Sequence, residues 1–146
     1  MNDTTGSGGY TNSTTPSIWP SKGVITSPYG TRVDPVTGAA SAFHEGVDIA
    51  DDYGTPIVAT AAGTVTFAGY TEGGYGNLVE IDHGNGFVTR YGHNSAVLVT
   101  PGMTVKQGQV IALMGSTGKS TGAHVHYEVR INGSAVDPMV FLPISN

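Results

Sequence analysis

Ala123-His124-Val125-His126-Tyr127-Glu128-Val129 is the stretch whose reading decides this chain. Val125, Tyr127, Val129 and Ile131 alternate there with polar residues, which is the period of a half-buried strand. In a strand, residues i and i+2 share a face. His124 and His126 therefore project together, with Val125, Tyr127, Val129 and Ile131 on the opposite face. Two neighbouring imidazoles are costly to hold in a purely structural surface but useful around a metal. Upstream, His44-Glu45-Gly46-Val47-Asp48 supplies another imidazole and a carboxylate, at a spacing that puts both groups on one face of a strand or a helix. His93 stands alone between them, in Tyr91-Gly92-His93.

Outward from these motifs, short apolar runs alternate with Gly, Pro, Asn and Asp. Candidate strands are Val24–Ser27, Ile57–Ala59, Gly63–Ala68, Leu78–Asp82, Phe87–His93, Gln109–Met114 and His124–Ile131. Their length and spacing predict an all-β sandwich or barrel, and no segment keeps a helical period over three turns. Asn85-Gly86 between two runs rich in β-formers is the strongest short hairpin signal. It pairs Leu78–Asp82 with Phe87–His93, so His93 should share one end of the sheet with the loop Gly73-Gly74-Tyr75-Gly76. His83 should lie at the other end, by the turn, as a structural histidine partnered by Asp82 or a turn carbonyl.

Bulk properties narrow the function classes. The 146 residues make one domain with room for a sizeable core. Six basic residues and a formal net charge of -5 argue against nucleic acid or an anionic membrane surface as the main partner. There is no cysteine, which excludes disulfides, cysteine-ligated zinc and thiol nucleophiles. No segment is long and apolar enough to be a spanning helix, and no signal peptide is visible. Residues 1–17 are rich in Thr, Ser, Gly and Asn and are expected to form a flexible linker, with an ordered domain over 18–146. This composition fits an exported domain, whose signal or anchor would lie on sequence not present here.

Zinc enzymes hold the metal with three protein ligands and leave a position open for water. His44, Asp48 and one of His124 or His126 make such a set. Imidazoles mixed with a carboxylate suit zinc better than calcium or magnesium, which prefer oxygen alone. The remaining histidine of the pair and His93 would then be in reach for proton transfer and for steadying a developing oxyanion. Such parts make a hydrolase of amides or esters. Each motif by itself has a commoner structural reading, so the case rests on their combination.

In combination they resemble the lysostaphin-type, or LytM-type, zinc endopeptidases that cut bacterial peptidoglycan. The matching segments are Phe43-His44-Glu45-Gly46-Val47-Asp48-Ile49, Ala61-Ala62-Gly63-Thr64-Val65, Ile81-Asp82-His83-Gly84-Asn85-Gly86, Thr89-Arg90-Tyr91-Gly92-His93, Gly115-Ser116-Thr117-Gly118, His124-Val125-His126-Tyr127-Glu128 and Val136-Asp137-Pro138. They cover about Trp19 to Leu142 in the family's order. The resemblance implies one Zn²⁺ held by His44, Asp48 and His126, with His93 and His124 as catalytic histidines. It implies a small antiparallel β-sandwich of the duplicated hybrid motif type, with an open groove over one sheet. Gly73–Gly76 and Gly115–Gly122 would flank that groove, and Tyr75, Asn77, Gly118 and Ser120 are the expected substrate-binding residues. Asn94 departs from the bulky apolar residue that often follows the catalytic histidine, with an expected effect on packing.

The implied substrate is a stem peptide or cross-bridge of peptidoglycan. The wording of Gly118-Lys119-Ser120-Thr121-Gly122 and Arg130-Ile131-Asn132-Gly133 looks more like the branch that cuts D-amino-acid cross-links than the one that cuts pentaglycine. The implied setting is extracytoplasmic, and a monomer without membrane contact is expected. Rival readings are weaker. His44-Glu45-Gly46-Val47-Asp48 as a variant His-Glu-x-x-His helix fails on Gly46, Val47 and a sequel that makes a poor helix. A phosphate loop at Gly115–Ser120 lacks its first glycine, since Leu113 stands there. A carbohydrate-binding module built on Trp19, Tyr29, Tyr53, Tyr70 and Tyr75 competes with the ordinary packing role of aromatics. Family members that lost ligands act as scaffolds or amidase activators, whereas this chain keeps all five positions.

Overall fold

A computed structural model describes residues 10–33, 40–120 and 122–144. The strands are β1 (Val24–Ser27), β2 (Gly30–Val33), β3 (Ala40–His44), β4 (Val47–Ala50), β5 (Pro56–Val58), β6 (Gly63–Thr71), β7 (Gly76–Gly84), β8 (Phe87–Asn94), β9 (Ala96–Val97), β10 (Thr104–Val105), β11 (Val110–Leu113), β12 (His124–Ile131) and β13 (Ser134–Val136). Among the described residues the helical content is one 3₁₀ turn, Pro138–Val140. No helix there is long and apolar enough to cross a membrane.

The main sheet runs β1-β4-β12-β8-β7-β6-β10, with β13 added to β12; β5-β11-β9 form a second sheet, and β2 pairs with β3. All pairings are antiparallel. One core cluster joins the sheets. Val47, Ile49, Val79, Ile81, Tyr91, Val125, Tyr127 and Val129 of the main sheet meet Ile57, Ile111 and Ala112 of the smaller one. Burying each aliphatic side chain of this kind contributes about 1.5–3 kcal/mol. The alternation that opens the sequence reading is the cause of the sandwich: Val125, Tyr127 and Val129 are all fully buried, so the opposite face of β12 is left for the histidines.

The hairpin forms as the sequence predicts. Asn85 and Gly86 have φ of 54° and 83°, the paired positive values that a tight two-residue hairpin turn requires. β12 coincides with its expected bounds, and β6, β7 and β8 extend past theirs. The expectation left out β2, β3, β4, β9, β10 and β13. These strands are short, and β1–β4 and β2–β3 each carry a register shift, so no long alternation marks them.

Residues 1–9 of the expected linker lie outside the described residues, and Thr11, Ser13, Thr15 and Ser17 make hydrogen bonds to residues beyond it. Thr11 and Gln107 exchange backbone hydrogen bonds of 3.0 and 2.8 Å, and the amide of Gln107 donates to Thr15, Ser17 and Thr60. Buried Gln107 supplies most of the partners, Ala62 N–H adds a bond to the Ser13 carbonyl at 2.6 Å, and no composition rule reveals either. His83 is structural, but its Nδ1 meets the carbonyl of Ala62 at 2.8 Å and not Asp82 or its own turn. Its Nε2 lies 2.7 Å from the hydroxyl of Thr89. A buried chain then continues from Thr89 to the hydroxyl of Tyr91, to Thr60 and to the hydroxyl of Tyr127. Since the Ala62 carbonyl only accepts, His83 Nδ1 carries the hydrogen and Nε2 ends the chain as an acceptor.

Candidate metal centre and groove

β4, β12 and β8 lie side by side, and register places His126 opposite both Asp48 and Gly92. Asp48, His126 and the chain entering His93 are therefore neighbours on the solvent side of the main sheet. His44 and Asp48 do not share one strand, as their spacing suggested. His44 ends β3 and Asp48 sits in β4, with Glu45-Gly46 turning the chain between them. A Cβ on Gly46 would lie 2.3 Å from the carbonyl oxygen of Tyr127, so only glycine lets this bend press against β12.

The bend brings three donor atoms together. Asp48 Oδ1 is 3.3 Å from His44 Nε2 and 3.0 Å from His126 Nδ1, and the ligand atoms of the three residues all lie within 4.8 Å of one another. Both rings are fixed from behind. His44 Nδ1 lies 2.8 Å from the carbonyl oxygen of Pro28. His126 Nε2 lies 2.8 Å from Glu128 Oε2. The outer partners are acceptors, so the outer nitrogens carry the hydrogens and the nitrogens facing Asp48 can present lone pairs. Two imidazoles and a carboxylate aimed at one point are the donor chemistry of a zinc site.

The other two imidazoles are held in the same way. His93 Nδ1 is 2.6 Å from the carbonyl oxygen of Thr117. His124 Nδ1 is 2.9 Å from that of Gly122. Each Nε2 is thereby left to the site, and His124 Nε2 stands 3.7 Å from Asp48 Oδ1. The His93 and His124 ring centroids are 4.6 Å apart. His93 adopts φ of 67°, a strained conformation for a residue with a β-carbon. Its N–H donates to the Tyr75 carbonyl at 2.6 Å.

The electrostatics follow burial and partners. Burial works to raise the Asp48 carboxyl, but hydrogen bonds and charge from His126 and His44 outweigh it and hold the group well below the usual range. Burial works against a charged His126, but Asp48 and Glu128 carry it up to about 9. Glu128 resists burial likewise, lowered to about 2 by His126, Tyr75 and Arg130. His93 is lowered, by burial first and then by His124 and His126, against the bond to Thr117. It is therefore neutral at pH 7, with Nε2 free to accept a proton.

A groove of about 870 Å³ runs over this cluster. Its walls include Tyr75 of the β6–β7 loop and Gly118, Lys119 and Ser120 of the segment before β12. The two loops touch back to back. A Cβ on Gly118 would lie 2.4 Å from Gly76 N, and Gly118 and Gly76 have φ of 73° and 67°. Of the four residues expected to bind substrate, Tyr75, Gly118 and Ser120 line the groove. Asn77 does not. Its side-chain amide donates to the Asn94 backbone carbonyl at 3.0 Å, and its backbone carbonyl accepts from the Asn94 side-chain amide at 3.0 Å. Asn94 is fully buried, so this residue and Asn77 make a polar clamp beneath His93, where the sequence expectation foresaw only altered packing.

Sequence reasoning passed over Glu128. Its signal was present, since the period that puts His124 and His126 on one face continues to Glu128 and Arg130. Its partners were not legible: Tyr75 O–H donates to Oε2 at 2.6 Å and Arg130 Nε to Oε1 at 2.8 Å.

Residues 42–138 match the model of peptidase family M23. The chain is 49% identical over 120 residues to the DD-carboxypeptidase/endopeptidase Mpg of Neisseria meningitidis serogroup B, covering 82% of this chain and 27% of that protein. It is 40% identical over 125 residues to the murein hydrolase activator NlpD of Escherichia coli, covering 86% of this chain and 31% of that one. A zinc-containing peptidase from Vibrio cholerae superposes with a TM-score of 0.76 at 36% identity, over 89% of this chain and 39% of the other. The chain thus spans between about a quarter and a third of the length of these curated relatives.

Proposed function

Starting from the fact that the chain belongs to peptidase family M23, we propose that it is a zinc-dependent endopeptidase acting on peptidoglycan peptides. The observation that carries this reading is the convergence of His44 Nε2, Asp48 Oδ1 and His126 Nδ1 beneath two further imidazoles on the floor of a groove. His44, Asp48 and His126 would hold one zinc ion. When bound, zinc acts as a Lewis acid and brings the ionisation of water toward pH ~7.

The chain's own groups supply the rest. His93, neutral with Nε2 free, takes a proton from the attacking water and returns it to the leaving amine. His124, anchored through Nδ1, presents Nε2 to the carbonyl oxygen as it gains charge. Tyr75, Gly118 and Ser120 contact the peptide along the groove walls. The Tyr75 and Ser120 hydroxyls are committed within the protein, so Tyr75 meets the peptide with its ring and Gly118 with its backbone.

D-amino-acid cross-links are the preferred substrate in this reading, which the 49% identity to a DD-carboxypeptidase/endopeptidase supports. The setting is extracytoplasmic, in keeping with a relative named as a lipoprotein. A second reading has its own observation: the 40% identity to a murein hydrolase activator allows an amidase-activating scaffold of the same fold.

The deciding experiment measures zinc content and digestion of purified peptidoglycan, with and without chelator, with products identified by mass spectrometry. About one zinc per chain with chelator-sensitive cleavage supports the enzyme. Bound zinc without cleavage, together with stimulation of an amidase, supports the scaffold. An absence of zinc and of cleavage overturns the enzyme reading.

A further inference from the structure

Glu128 is 1% exposed, and taking a carboxylate out of water costs several kcal/mol unless its oxygens are paired. Both oxygens are paired. Oε2 accepts from Tyr75 O–H and from His126 Nε2, and Oε1 accepts from Arg130 Nε. Arg90 Nη1 stands 3.8 Å from Oε1 and donates to the Tyr75 hydroxyl at 3.2 Å. Glu80 and Glu45 then brace Arg90 and Arg130 from outside. Glu128 does not reach Asp48 or the other imidazoles by any of these bonds. What it fixes is one atom of the site, the outer nitrogen of His126.

From this arrangement we infer that Glu128 is a positioning residue that makes His126 bind metal through Nδ1, and that Tyr75 ties the groove wall into the same support. The inference rests on the zinc site proposed above. An ionised carboxylate only accepts hydrogen bonds, so His126 keeps a hydrogen on Nε2, and Nδ1 beside Asp48 is the nitrogen that would give up its hydrogen to take the metal. A neutral amide in the same place can turn its NH₂ toward Nε2 and favour the opposite tautomer, in which Nδ1 cannot bind metal. Tyr75 adds a second donor to Oε2 and comes from a loop that also lines the groove. Displacement of that loop would therefore free Oε2 from one bond and loosen the ring it holds.

The test compares wild type, Glu128→Gln and Tyr75→Phe. Zinc dissociation constants are measured by competition with a chromogenic chelator, and ¹⁵N spectra of the zinc-loaded proteins identify which His126 nitrogen carries hydrogen. Thermal unfolding of the metal-free proteins controls for folding. Glu128→Gln is expected to weaken zinc binding about 10- to 100-fold, and Tyr75→Phe about 2- to 10-fold. Zinc-loaded wild type is expected to show Nε2–H on His126. Should Glu128→Gln not fold, Tyr75→Phe and the wild-type spectrum still decide. Unchanged zinc affinity in folded variants, or Nδ1–H on His126 in the zinc-loaded wild type, overturns the inference. A wild-type protein that takes up no zinc overturns the metal-site reading beneath it.

Discussion

His93 is held over the groove by Thr117, whose carbonyl oxygen lies 2.6 Å from its Nδ1. The same threonine stitches the strands below. Its hydroxyl donates to the Asn94 carbonyl at 2.8 Å and accepts from Asn77 N–H at 3.0 Å. Thr117→Val keeps the shape and removes both bonds. It is expected to cost about 1–3 kcal/mol, read from urea unfolding, and to lower cleavage while zinc content is unchanged. A variant as active and as stable as wild type would show that the stitch does not set His93.

Removing a ligand should separate cleanly from removing a proton carrier. His126→Ala and Asp48→Ala are expected to lose both zinc and cleavage. His93→Ala and His124→Ala should keep most of the zinc and lose about 10²–10⁴-fold in turnover. Metal analysis and digestion rates on the same four preparations check the division of roles, and equal loss of zinc in all four would refute it.

The contact between Gly76 and Gly118 makes the two groove walls one unit. Gly118→Ala puts a methyl group where Gly76 N and the Gly74 carbonyl already stand, 2.4 and 2.7 Å away, on a backbone with positive φ. Strain of about 1–3 kcal/mol should lower the melting temperature. Cleavage should fall further than this loss of stability explains, because the loops part. Substitution at Gly122, where a Cβ meets nothing within 4 Å, is the control and should leave the melting temperature near that of wild type.

Acid should weaken the fold through His83. Burial pushes this imidazole below its ordinary value, against the Ala62 bond and the charge of Asp82. Its folded pKa is thus lower than its unfolded one, so the unfolded chain binds more protons as pH falls. The stability His83 contributes is present above about pH 6.5 and is lost as pH drops through its folded pKa. His83→Gln removes that titration. Its deficit against wild type in denaturant unfolding should be about 1–3 kcal/mol at pH 7.5 and should narrow at pH 5. A deficit that is constant with pH would show that His83 does not titrate in unfolding.

How much was readable divides along the range of the interactions. Alternation through His124–Ile131 and the turn residues Asn85-Gly86 act between neighbours in the chain, so they disclosed the all-β class, the hairpin, the shared face of the two histidines and the common end of His93 and Tyr75. The motif resemblance supplied the expected ligand set. Strands such as β4 escaped, because Val47–Ala50 offers only two buried apolar positions.

Sequence by itself determined which side chains are turned from the core, because a strand's two faces are fixed by its period of two. Tertiary structure alone decided what each of them meets there. The bend that joins His44 to Asp48 depends on close approach to Tyr127, the tautomer of His126 on Glu128, and the inward turn of Asn77 on Asn94. Tyr75 reaches Glu128 across 53 positions of sequence. Hydrogen bonds are specific to single atoms and angles, so they are set by register and packing between distant strands, which no local pattern encodes.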